Sequence, residues 1–362
     1  MYPPIVIATN NGDIGGGEVM LLRMAEALKG LGHRASVVAP TEPGDLADAA
    51  HAAGFDTVRL AATTRSEWMR ALRQWHHTEL RRARHDGHGH RLLWCNGLVP
   101  AVATAGHPAR IVHLHQKPQG AAQRALLPIA RAGAIATVVP STYMQRAFGG
   151  SMVLPNWTAP IPVSARRRAS DGPYVVGFLG RLSTDKGMVV LTDAIRLLEQ
   201  RRPGEFRLLV AGEPRFVAPA DYALVDHALA GLGDIVERPG WMDRDEFFSS
   251  VDALAVPSLF PESFGLGAAE AMAARVPLVV SADGALPEVV GPDGITVPPG
   301  DPAALADALE RLLSNPDGDR VDALHRRWQE RFSPEAGARN LAQLLADLER
   351  RRPVQDHAVK RS

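Results

Sequence analysis

Short apolar runs rich in β-branched residues recur along the whole chain and are separated by amphipathic stretches. These runs cover residues 5–9, 35–40, 57–61, 92–96, 110–115 and 136–141 in the first half, and 174–180, 206–212, 253–258 and 277–282 in the second. They are continuously apolar rather than alternating, which is typical of parallel strands covered by helices on both faces. The alternation of strands and helices predicts an α/β fold with two doubly wound, Rossmann-like domains.

The segment 160–173 is rich in proline, serine and arginine and is interpreted as a linker. We therefore expect an N-terminal domain over 1–163, a C-terminal domain over 164–333, and a last helix with a frayed tail over 334–362. Ligands of open α/β sheets bind beyond the carboxyl ends of the strands. Two such sheets facing each other predict an interdomain cleft lined by the loops that follow the strands.

The composition narrows the class of protein. Its 362 residues are 46% hydrophobic and carry 40 basic and 40 acidic side chains, so the basic excess of a nucleic-acid-binding protein is missing. The single cysteine, Cys95, rules out an intrachain disulfide framework and suits a reducing cytoplasm. The N-terminus does not show the pattern of a signal peptide, and no stretch is long and apolar enough to span a bilayer. A cytoplasmic location is the expectation.

Three consecutive glycines, Gly15 to Gly17, follow the first apolar run and open an amphipathic stretch. Glycines allow backbone N–H groups to approach a ligand closely, and a helix N-terminus favours anions. A tight turn from strand to helix would use the same residues and stays open as an alternative. The dinucleotide fingerprint G-x-G-x-x-G fails because Met20 occupies its third glycine position, which argues against a nicotinamide cofactor.

Two cations, Arg181 and Lys186, follow the first strand of the second half. Such a pair suits a diphosphate, because arginine forms forked hydrogen bonds and lysine acts as a point charge. Only four of the 40 basic residues are lysines, so a lysine at this position favours a functional role. Solvated loop cations, with Thr184 or Asp185 capping the next helix, are the alternative.

The stretch FPESFGLGAAEAM (260–272) places Glu262 and Glu270 on either side of a glycine-rich turn in an otherwise apolar segment. A buried carboxylate is costly without a partner. The partner is either a hydroxyl-rich ligand such as a sugar or a ribose, or the protein itself. In the second case Glu262 caps a loop and Glu270 pairs with an internal arginine.

These motifs together resemble the family-four glycosyltransferases of the GT-B type, which are retaining enzymes. The resemblance rests on GRLSTDKG (180–187) and on PESFGLGAAEAMAARVPLVVSADGALPEVV (261–290), and it extends to the glycine loop, to LPNW (154–157) and to GWMDRDEFFSSVDALAVPS (240–258). It implies transfer of a hexose or amino-hexose from a nucleotide-diphospho-sugar to an acceptor hydroxyl, with no metal and no cofactor beyond this donor. It also implies that the last helix crosses back to the N-terminal domain.

The same resemblance implies a role for each residue that matches the family pattern. Arg181 and Lys186 would bind the diphosphate, Glu262 the hydroxyls of the transferred sugar, and Glu270 the ribose. Backbone amides of Phe264, Gly265 and Leu266 would meet phosphate or sugar, Gly16 and Gly17 would close over the diphosphate, and Trp241 and Met242 would lie beside the base. His115 would lie near the reacting sugar, with His113 as the alternative, since both point to one face of an extended strand.

Two candidate metal sites are set aside. Asp243-Arg-Asp245 has the form of a metal-binding Asp-x-Asp, but Glu246 lies three positions after Asp243 in a capping-box arrangement, which predicts a helix cap. The histidines 85, 88 and 90 have no nearby cysteine or second histidine pair to complete a zinc site and are interpreted as a solvated loop.

Residues 65–91 carry seven arginines against three acids, and Trp68, Leu72 and Trp75 are spaced as on one face of a helix. Two interpretations follow: a core helix of the N-terminal domain, which we favour, or a helix in weak peripheral contact with an anionic membrane. The second would suit a lipid-linked glycan as acceptor, whereas a small-molecule alcohol needs no such contact.

Other functions remain as alternatives at this point. One is a catalytically silent relative that binds a nucleotide sugar, and another is an enzyme of the same fold that couples non-sugar partners or isomerises the donor. The pattern also leaves the base open between uridine and guanosine.

Overall fold

The computed structural model describes residues 4–85, 91–107, 109–162 and 172–351. The chain divides into two compact units. The first, called the N-unit here, comprises Met1–Pro140, Met144–Pro155 and Gly337–Ser362, and the second, the C-unit, comprises Ser141–Tyr143 and Asn156–Ala336. After Pro155, inside the LPNW segment, the chain runs in the C-unit as far as Ala336. The middle of the expected linker (163–171) and the expected frayed tail (354–362) lie outside the described residues.

The N-unit contains a seven-stranded parallel sheet. Its strands are β1 (Ile5–Ala8), β2 (Ala35–Pro40), β3 (Asp56–Leu60), β4 (Leu92–Asn96), β5 (Arg110–His113), β6 (Ala136–Val139) and β7 (Met152–Val153). The helices between them are α1 (Gly16–Gly30), α2 (Asp45–Ala52), α3 (Arg65–His85), α4 (Leu98–Ala103), α5 (Gly120–Arg131) and α6 (Thr142–Ala147).

The strands of this sheet lie in the order β3-β2-β1-β4-β5-β6-β7. Strand β1 therefore pairs with β2 on one side and with β4 on the other, so that Ile5 lies opposite both Ala35 and Leu92. The chain reverses its direction of travel across the sheet between β1 and β4. This is the switch point at which open α/β sheets bind their ligands, and the loops after β1 and β4 flank it.

The C-unit contains a six-stranded parallel sheet. Its strands are β8 (Tyr174–Leu179), β9 (Phe206–Ala211), β10 (Val236–Gly240), β11 (Ala253–Val256), β12 (Leu278–Ser281) and β13 (Ile295–Val297). Its helices are α7 (Met188–Arg201), α8 (Pro219–Ala230), α9 (Arg244–Ser250), α10 (Leu266–Ala273), α11 (Leu286–Val290), α12 (Pro302–Ser314) and α13 (Gly318–Arg331), and 3₁₀ turns cover Thr184–Lys186, Gly233–Ile235 and Gly291–Asp293.

The C-unit sheet has the order β10-β9-β8-β11-β12-β13, and its switch point lies between β8 and β11. Two apolar clusters cover its two faces: one packs Leu191 and Leu309 of α7 and α12 onto the sheet, and the other packs Phe247 and Met272 of α9 and α10. Helices on both faces of a parallel sheet in each unit confirm the predicted fold of two doubly wound α/β domains.

All ten predicted strands are present, and three further strands are found that the apolar pattern did not indicate. Strands β7 and β13 have only two and three residues, too few to produce a recognisable run. Strand β10, with the sequence VERPG, is polar, contains a proline and lies at the edge of its sheet, where a missing N–H is tolerated.

Helix α3 packs its apolar face into the N-unit. Trp68 and Leu72 are 3% and 0% exposed. This confirms the interpretation as a core helix, because protein covers the two apolar side chains that the membrane alternative would place in a lipid surface. The histidines 88 and 90 lie outside the described residues.

The last helix, α14 (Pro334–Arg351), belongs to the N-unit from Gly337 onward. Its Leu345 and Leu348 are buried, and together with Ile5 and Leu92 they line a small cavity beside the sheet. Among the helices of the described residues, none combines the length and the apolar composition required to cross a lipid bilayer.

Candidate functional site

In the C-unit, the predicted ligand-binding residues follow the two strands that flank the switch point. Strands β8 and β11 are neighbours, with Leu254 opposite Gly177. Arg181 and Lys186 follow β8, and Ser258 and Glu262 follow β11. The strand order therefore brings together two loops that lie about 80 residues apart in the sequence, at the position where such sheets bind ligands.

The two loops are held together by their backbones. Gly187 separates the 3₁₀ turn Thr184–Lys186 from α7 and has a φ of +74°, in the left-handed region that favours glycine. A Cβ atom at this position would lie 1.8 Å from the carbonyl oxygen of Pro257. The backbone N–H groups of Leu259 and Phe260 donate to the carbonyl of Asp185 at 2.9 and 3.0 Å. Glycine is therefore required for the close approach of these loops.

Lys186 and Glu262 form an ion pair across the two loops. Lys186 Nζ lies 2.5 Å from Glu262 Oε1, and Ser258 Oγ donates to the same oxygen at 2.8 Å. Within the described residues, no protein donor reaches the second oxygen, Oε2. The lysine and glutamate side chains are 27% and 18% exposed. Glu262 thus has a protein partner and keeps one carboxylate oxygen for further hydrogen bonds.

Arg181 lies at the more open side of the same loop. Its guanidinium pairs with Asp185 at 3.1 Å, and both side chains are about 40% exposed. Asp185 also accepts a hydrogen bond from Ser183, and Thr184 donates to Asp221. The suggested cap of α7 by Thr184 or Asp185 is wrong, because Gly187 is the N-cap residue and both side chains stabilise the turn before it.

Glu270 lies within α10 and is 2% exposed. Its Oε1 accepts a hydrogen bond from Arg244 Nε at 2.6 Å. The sequence interpretation allowed an internal arginine as partner without identifying it, and the structure identifies Arg244. This residue opens α9, directly after the segment predicted to pass the base, in which Met242 is half-buried and Trp241 is 69% exposed.

Asp243 is a helix cap. Its Oδ1 accepts from the backbone N–H of Asp245 at 2.9 Å, at the N-terminus of α9. This confirms the interpretation of the Asp-x-Asp segment as a cap, which occupies the carboxylate with an intrachain donor. No cluster of three or more histidine, cysteine, aspartate or glutamate side chains suited to a metal ion occurs in the described part of the chain.

The turn between the two glutamates presents backbone rather than side chains. Phe264 is buried against Phe332, with ring centroids 5.4 Å apart, and Gly265 has a φ of +103°. A Cβ at Gly265 would lie 2.5 Å from Leu286 Cδ2. Gly265 caps α10, whose first turn starts at Leu266 with N–H groups that have no partner within the helix. The turn therefore leaves amide donors and a helix N-terminus beside the ion pair.

In the N-unit, helix α1 starts at Gly16, so the glycine triplet opens a helix as predicted. The carboxylate of Glu18 folds back over this start and accepts from the backbone N–H of Gly15 at 3.3 Å and from Thr9 Oγ1 at 3.4 Å. Burial raises the pKa of Glu18. Glu18 thus holds the glycine loop in place from inside the unit.

The two candidate histidines are in contact after β5. His113 is 2% exposed and His115 is half-buried, and their ring centroids lie 4.0 Å apart. Burial lowers the pKa of His115 to about 4 and that of His113 well below its ordinary value, so both rings are neutral at neutral pH. A Cβ on Gly17 would lie 3.7 Å from His115 Cδ2, which places His115 directly against the glycine loop.

Each unit therefore gathers its own predicted residues. In the C-unit the switch point collects Arg181, Lys186, Glu262 and the turn at Gly265, with Glu270 one helical turn further on. In the N-unit the glycine loop meets His115. Sequence reasoning overlooked three residues, Glu18, Arg244 and Asn96. Asn96 is buried and forms a hydrogen bond with His115. Asn96 ends the apolar run 92–96, so the rule that ligands bind at strand ends could have identified it.

Comparison with known proteins finds a family model that matches part of the C-unit. Residues 173–315, which hold Arg181, Lys186, Glu262 and Glu270, match the family model described as glycosyl transferases group 1. These residues are called the group 1 segment here, after that description. The group 1 segment lies entirely within the C-unit and contains both strands of its switch point.

Curated relatives of the chain are glycosyltransferases by name. The chain is 37% identical over 137 residues to the MMP alpha-(1->4)-mannosyltransferase of Mycolicibacterium hassiacum, covering 36% of this chain and 32% of the relative. It is 34% identical over 218 residues to the D-inositol 3-phosphate glycosyltransferase of Xylanimonas cellulosilytica, covering 56% and 51%. The chain thus spans about a third to a half of the length of these relatives.

A solved structure matches nearly the whole chain. HepE from Anabaena, crystallised in complex with UDP and glucose, superposes with a TM-score of 0.80 over 95% of this chain and 100% of its own, at 20% identity. At this level of identity the match concerns the fold. It confirms the two-domain α/β architecture of GT-B type that the motifs implied.

Proposed function

We propose that this protein is a retaining glycosyltransferase that moves a hexose or amino-hexose from a nucleotide-diphospho-sugar to an acceptor hydroxyl. The observation that carries the proposal is the contact between Lys186 and Glu262, 76 positions apart, at the switch point of a group 1 segment. The reacting bond of such a donor joins a phosphate to a sugar. The lysine ammonium suits the phosphate, and the free carboxylate oxygen of Glu262 suits a sugar hydroxyl.

The cations and the start of α10 stabilise the leaving group. When the bond to the anomeric carbon breaks, negative charge develops on the diphosphate. Arg181, Lys186 and the amides of the turn at Phe264, Gly265 and Leu266 supply fixed positive charge and N–H donors for it. Loss of one such group costs on the order of 10²–10³ in rate.

The carboxylates orient the donor through its hydroxyls. Glu262 accepts hydrogen bonds from the sugar through Oε2, while Lys186 and Ser258 hold Oε1 and fix the direction of the carboxylate. A lysine ammonium has three donors, so Lys186 serves Glu262 and a phosphate oxygen at the same time. Glu270, held by Arg244, accepts from the ribose.

The remaining contacts follow the family pattern. Trp241 and Met242 lie beside the base, Gly16 and Gly17 meet the diphosphate, and His115 lies near the reacting sugar. Retention proceeds by attack on the face that the leaving group vacates, with the leaving phosphate taking the proton of the acceptor. We further propose an acceptor-side domain over 1–163, a donor-side domain over 164–333, a cytoplasmic location, and no metal or other cofactor.

The relatives suggest which substrates to test first. HepE was solved with UDP and glucose, which makes uridine diphospho-sugars the first donors. The name D-inositol 3-phosphate glycosyltransferase makes a phosphorylated polyol the first small-molecule acceptor. A lipid-linked glycan is the second class, and it would have to bind without the apolar face of α3, which is buried.

The test combines donor binding and turnover. Thermal unfolding is recorded with UDP, GDP, ADP and their hexose conjugates, and transfer is then measured with the stabilising donor, with and without EDTA. We expect one nucleotide series to stabilise the wild type, and Lys186→Ala and Glu262→Ala to lose at least about 10²-fold in kcat/KM.

The control is Arg201→Ala, which removes a C-unit cation that pairs with Asp307 and Glu310 at the far end of α7. It should bind donor and turn over like the wild type. Absence of stabilisation by every nucleotide sugar, or full activity in the Lys186 and Glu262 variants, would refute the proposed function.

A further inference from the structure

Asn96 ends strand β4 at the switch point of the N-unit sheet and is 4% exposed. Its side chain contacts two elements that the proposed function uses. Oδ1 lies 2.6 Å from His115 Nε2, and Nδ2 donates to the carbonyl oxygen of Gly17 at 3.4 Å. A single buried amide therefore connects the histidine after β5 with the glycine loop after β1.

These contacts determine the orientation of the amide. The Gly17 carbonyl can only accept, so the amide nitrogen of Asn96 has to face it, and the opposite orientation would set two oxygens against each other. Oδ1 then faces His115, and an oxygen without hydrogen can only accept. It follows that His115 carries its proton on Nε2.

The second ring nitrogen of His115 is consequently an acceptor. Nδ1 is buried, and no residue in the described part of the chain forms a hydrogen bond with it. The lone pair at Nδ1 is complementary to an O–H donor and repels a phosphate oxygen. A neutral ring in this tautomer thus selects a hydroxyl of the sugar or of the acceptor rather than the diphosphate.

The neighbouring His113 has the complementary arrangement. Trp94 Nε1 donates to His113 Nδ1 at 3.3 Å, which puts the His113 proton on Nε2. This Nε2 is also buried, without a partner among the residues that the structure describes. The two touching rings therefore offer one N–H donor and one lone pair. A hydroxyl group, which both donates and accepts, has the matching chemistry, and buried polar groups are seldom left without partners.

We propose that Asn96 is a positioning residue that holds His115 with its proton on Nε2 and against the glycine loop, so that Nδ1 accepts a hydrogen bond from a substrate hydroxyl. This rests on the proposed glycosyl transfer for the identity of the substrate. It assigns to Asn96 no contact with the reacting atoms.

Two variants of Asn96 separate its two contacts. Asn96→Ala removes both, whereas Asn96→Asp keeps an oxygen that accepts from His115 Nε2 and loses the donor to Gly17. The matched control is Cys95→Ala, one position earlier on β4, where the buried thiol contacts Thr104 instead of the site. This variant shows how shortening a buried side chain of β4 affects the protein when no contact with His115 is lost.

The tautomer is read by ¹⁵N NMR of histidine-labelled, ligand-free protein, with His115 assigned from the signals missing in His115→Gln. We expect Nε2–H and unprotonated Nδ1 in the wild type and Cys95→Ala, a protonated Nε2 in Asn96→Asp, and a mixture of tautomers in Asn96→Ala. A wild-type proton on Nδ1, or an unchanged tautomer in Asn96→Ala, overturns the proposal.

Kinetics then test the consequence for catalysis. We expect Asn96→Ala to lower kcat about 10²-fold with a smaller change in the KM of the donor, and Asn96→Asp to recover part of the loss. Equal kcat values for Asn96→Ala and Cys95→Ala would reduce Asn96 to a structural residue and overturn its positioning role. A wild type that transfers no sugar at all would refute the proposed function, while the NMR result on the free protein would still decide the tautomer.

Discussion

Gly187 provides the sharpest test of how the two C-unit loops are assembled. Replacing it with alanine places a Cβ atom 1.8 Å from the Pro257 carbonyl oxygen, in a backbone conformation with φ +74°. Gly204 offers a matched control in the same unit, because its φ is +77° and a Cβ there meets no atom of the described residues within 4 Å. The two variants share the backbone strain and differ in the clash.

The magnitudes follow from these distances. The left-handed conformation costs alanine about 1–2 kcal/mol at either position. At Gly187 the loops must also separate by about 1.6 Å, from 1.8 Å to the 3.4 Å at which ordinary contact begins. Overpacking of this kind adds about 1–3 kcal/mol. We therefore expect Gly187→Ala to lose about 2–5 kcal/mol in the free energy of unfolding, against about 1–2 kcal/mol for Gly204→Ala.

The functional effect should differ more than the stability. Separating the loops moves Lys186 away from Glu262, and a displacement of about 1 Å in a catalytic site costs about 10²-fold in rate. The assays are urea unfolding followed by fluorescence and kcat/KM with the stabilising donor. Gly204→Ala should keep wild-type activity. Equal stabilities and equal activities of the two variants would show that the close approach at Gly187 does not assemble the site.

Three further predictions concern single residues. Arg244→Ala should lower the free energy of unfolding by about 1–3 kcal/mol in urea, because the buried Glu270 carboxylate loses its partner, while the 42% exposure of the arginine moderates the loss. Adding Glu270→Gln should recover part of this loss, and no recovery would contradict the pairing. Trp241→Ala should weaken nucleotide binding about tenfold in calorimetry, because the base loses an aromatic ring to stack on. Tm should not fall, because the indole is 69% exposed. An unchanged Kd would remove Trp241 from the base site. His115 has a folded pKa of about 4, below the ordinary 6.5, so its contribution to stability is complete above pH 6.5 and falls as the pH drops towards 4. His115→Gln should reduce the slope of the unfolding free energy against pH in this range by up to about 1.4 kcal/mol per pH unit. An identical slope in the variant would contradict the burial of a neutral ring.

Much of the local structure could be predicted because a buried strand or helix face requires apolar residues at regular positions in the sequence. Parallel strands covered on both faces appear as continuous apolar runs, which is why ten of them were recognised and only the two- and three-residue strands and the polar edge strand β10 were missed. Functional positions followed from the same runs, since ligands bind where parallel strands end. Arg181, Lys186, Glu262 and Glu270 were found in this way and through their resemblance to a family.

Local pattern could not supply the partners of these residues. Glu262 pairs with Lys186 because β8 and β11 are adjacent, and strand order is a property of the whole sheet. Glu270 pairs with Arg244 because α9 and α10 contribute to the same apolar cluster on one face of that sheet. The arginine-rich helix α3 shows the same limit: its periodicity predicted an apolar face, but only packing showed that this face is buried in the N-unit.

Sequence alone thus determined which segments are strands and helices and which loops carry charge, because those properties depend on neighbours within a few positions. Tertiary structure decided which charges meet and which atoms stay available: one oxygen of Glu262, and the Nδ1 lone pair of His115 that Asn96 leaves unprotonated. Those outcomes depend on contacts between residues 19 to 79 positions apart, whose geometry exists only once the sheets have formed.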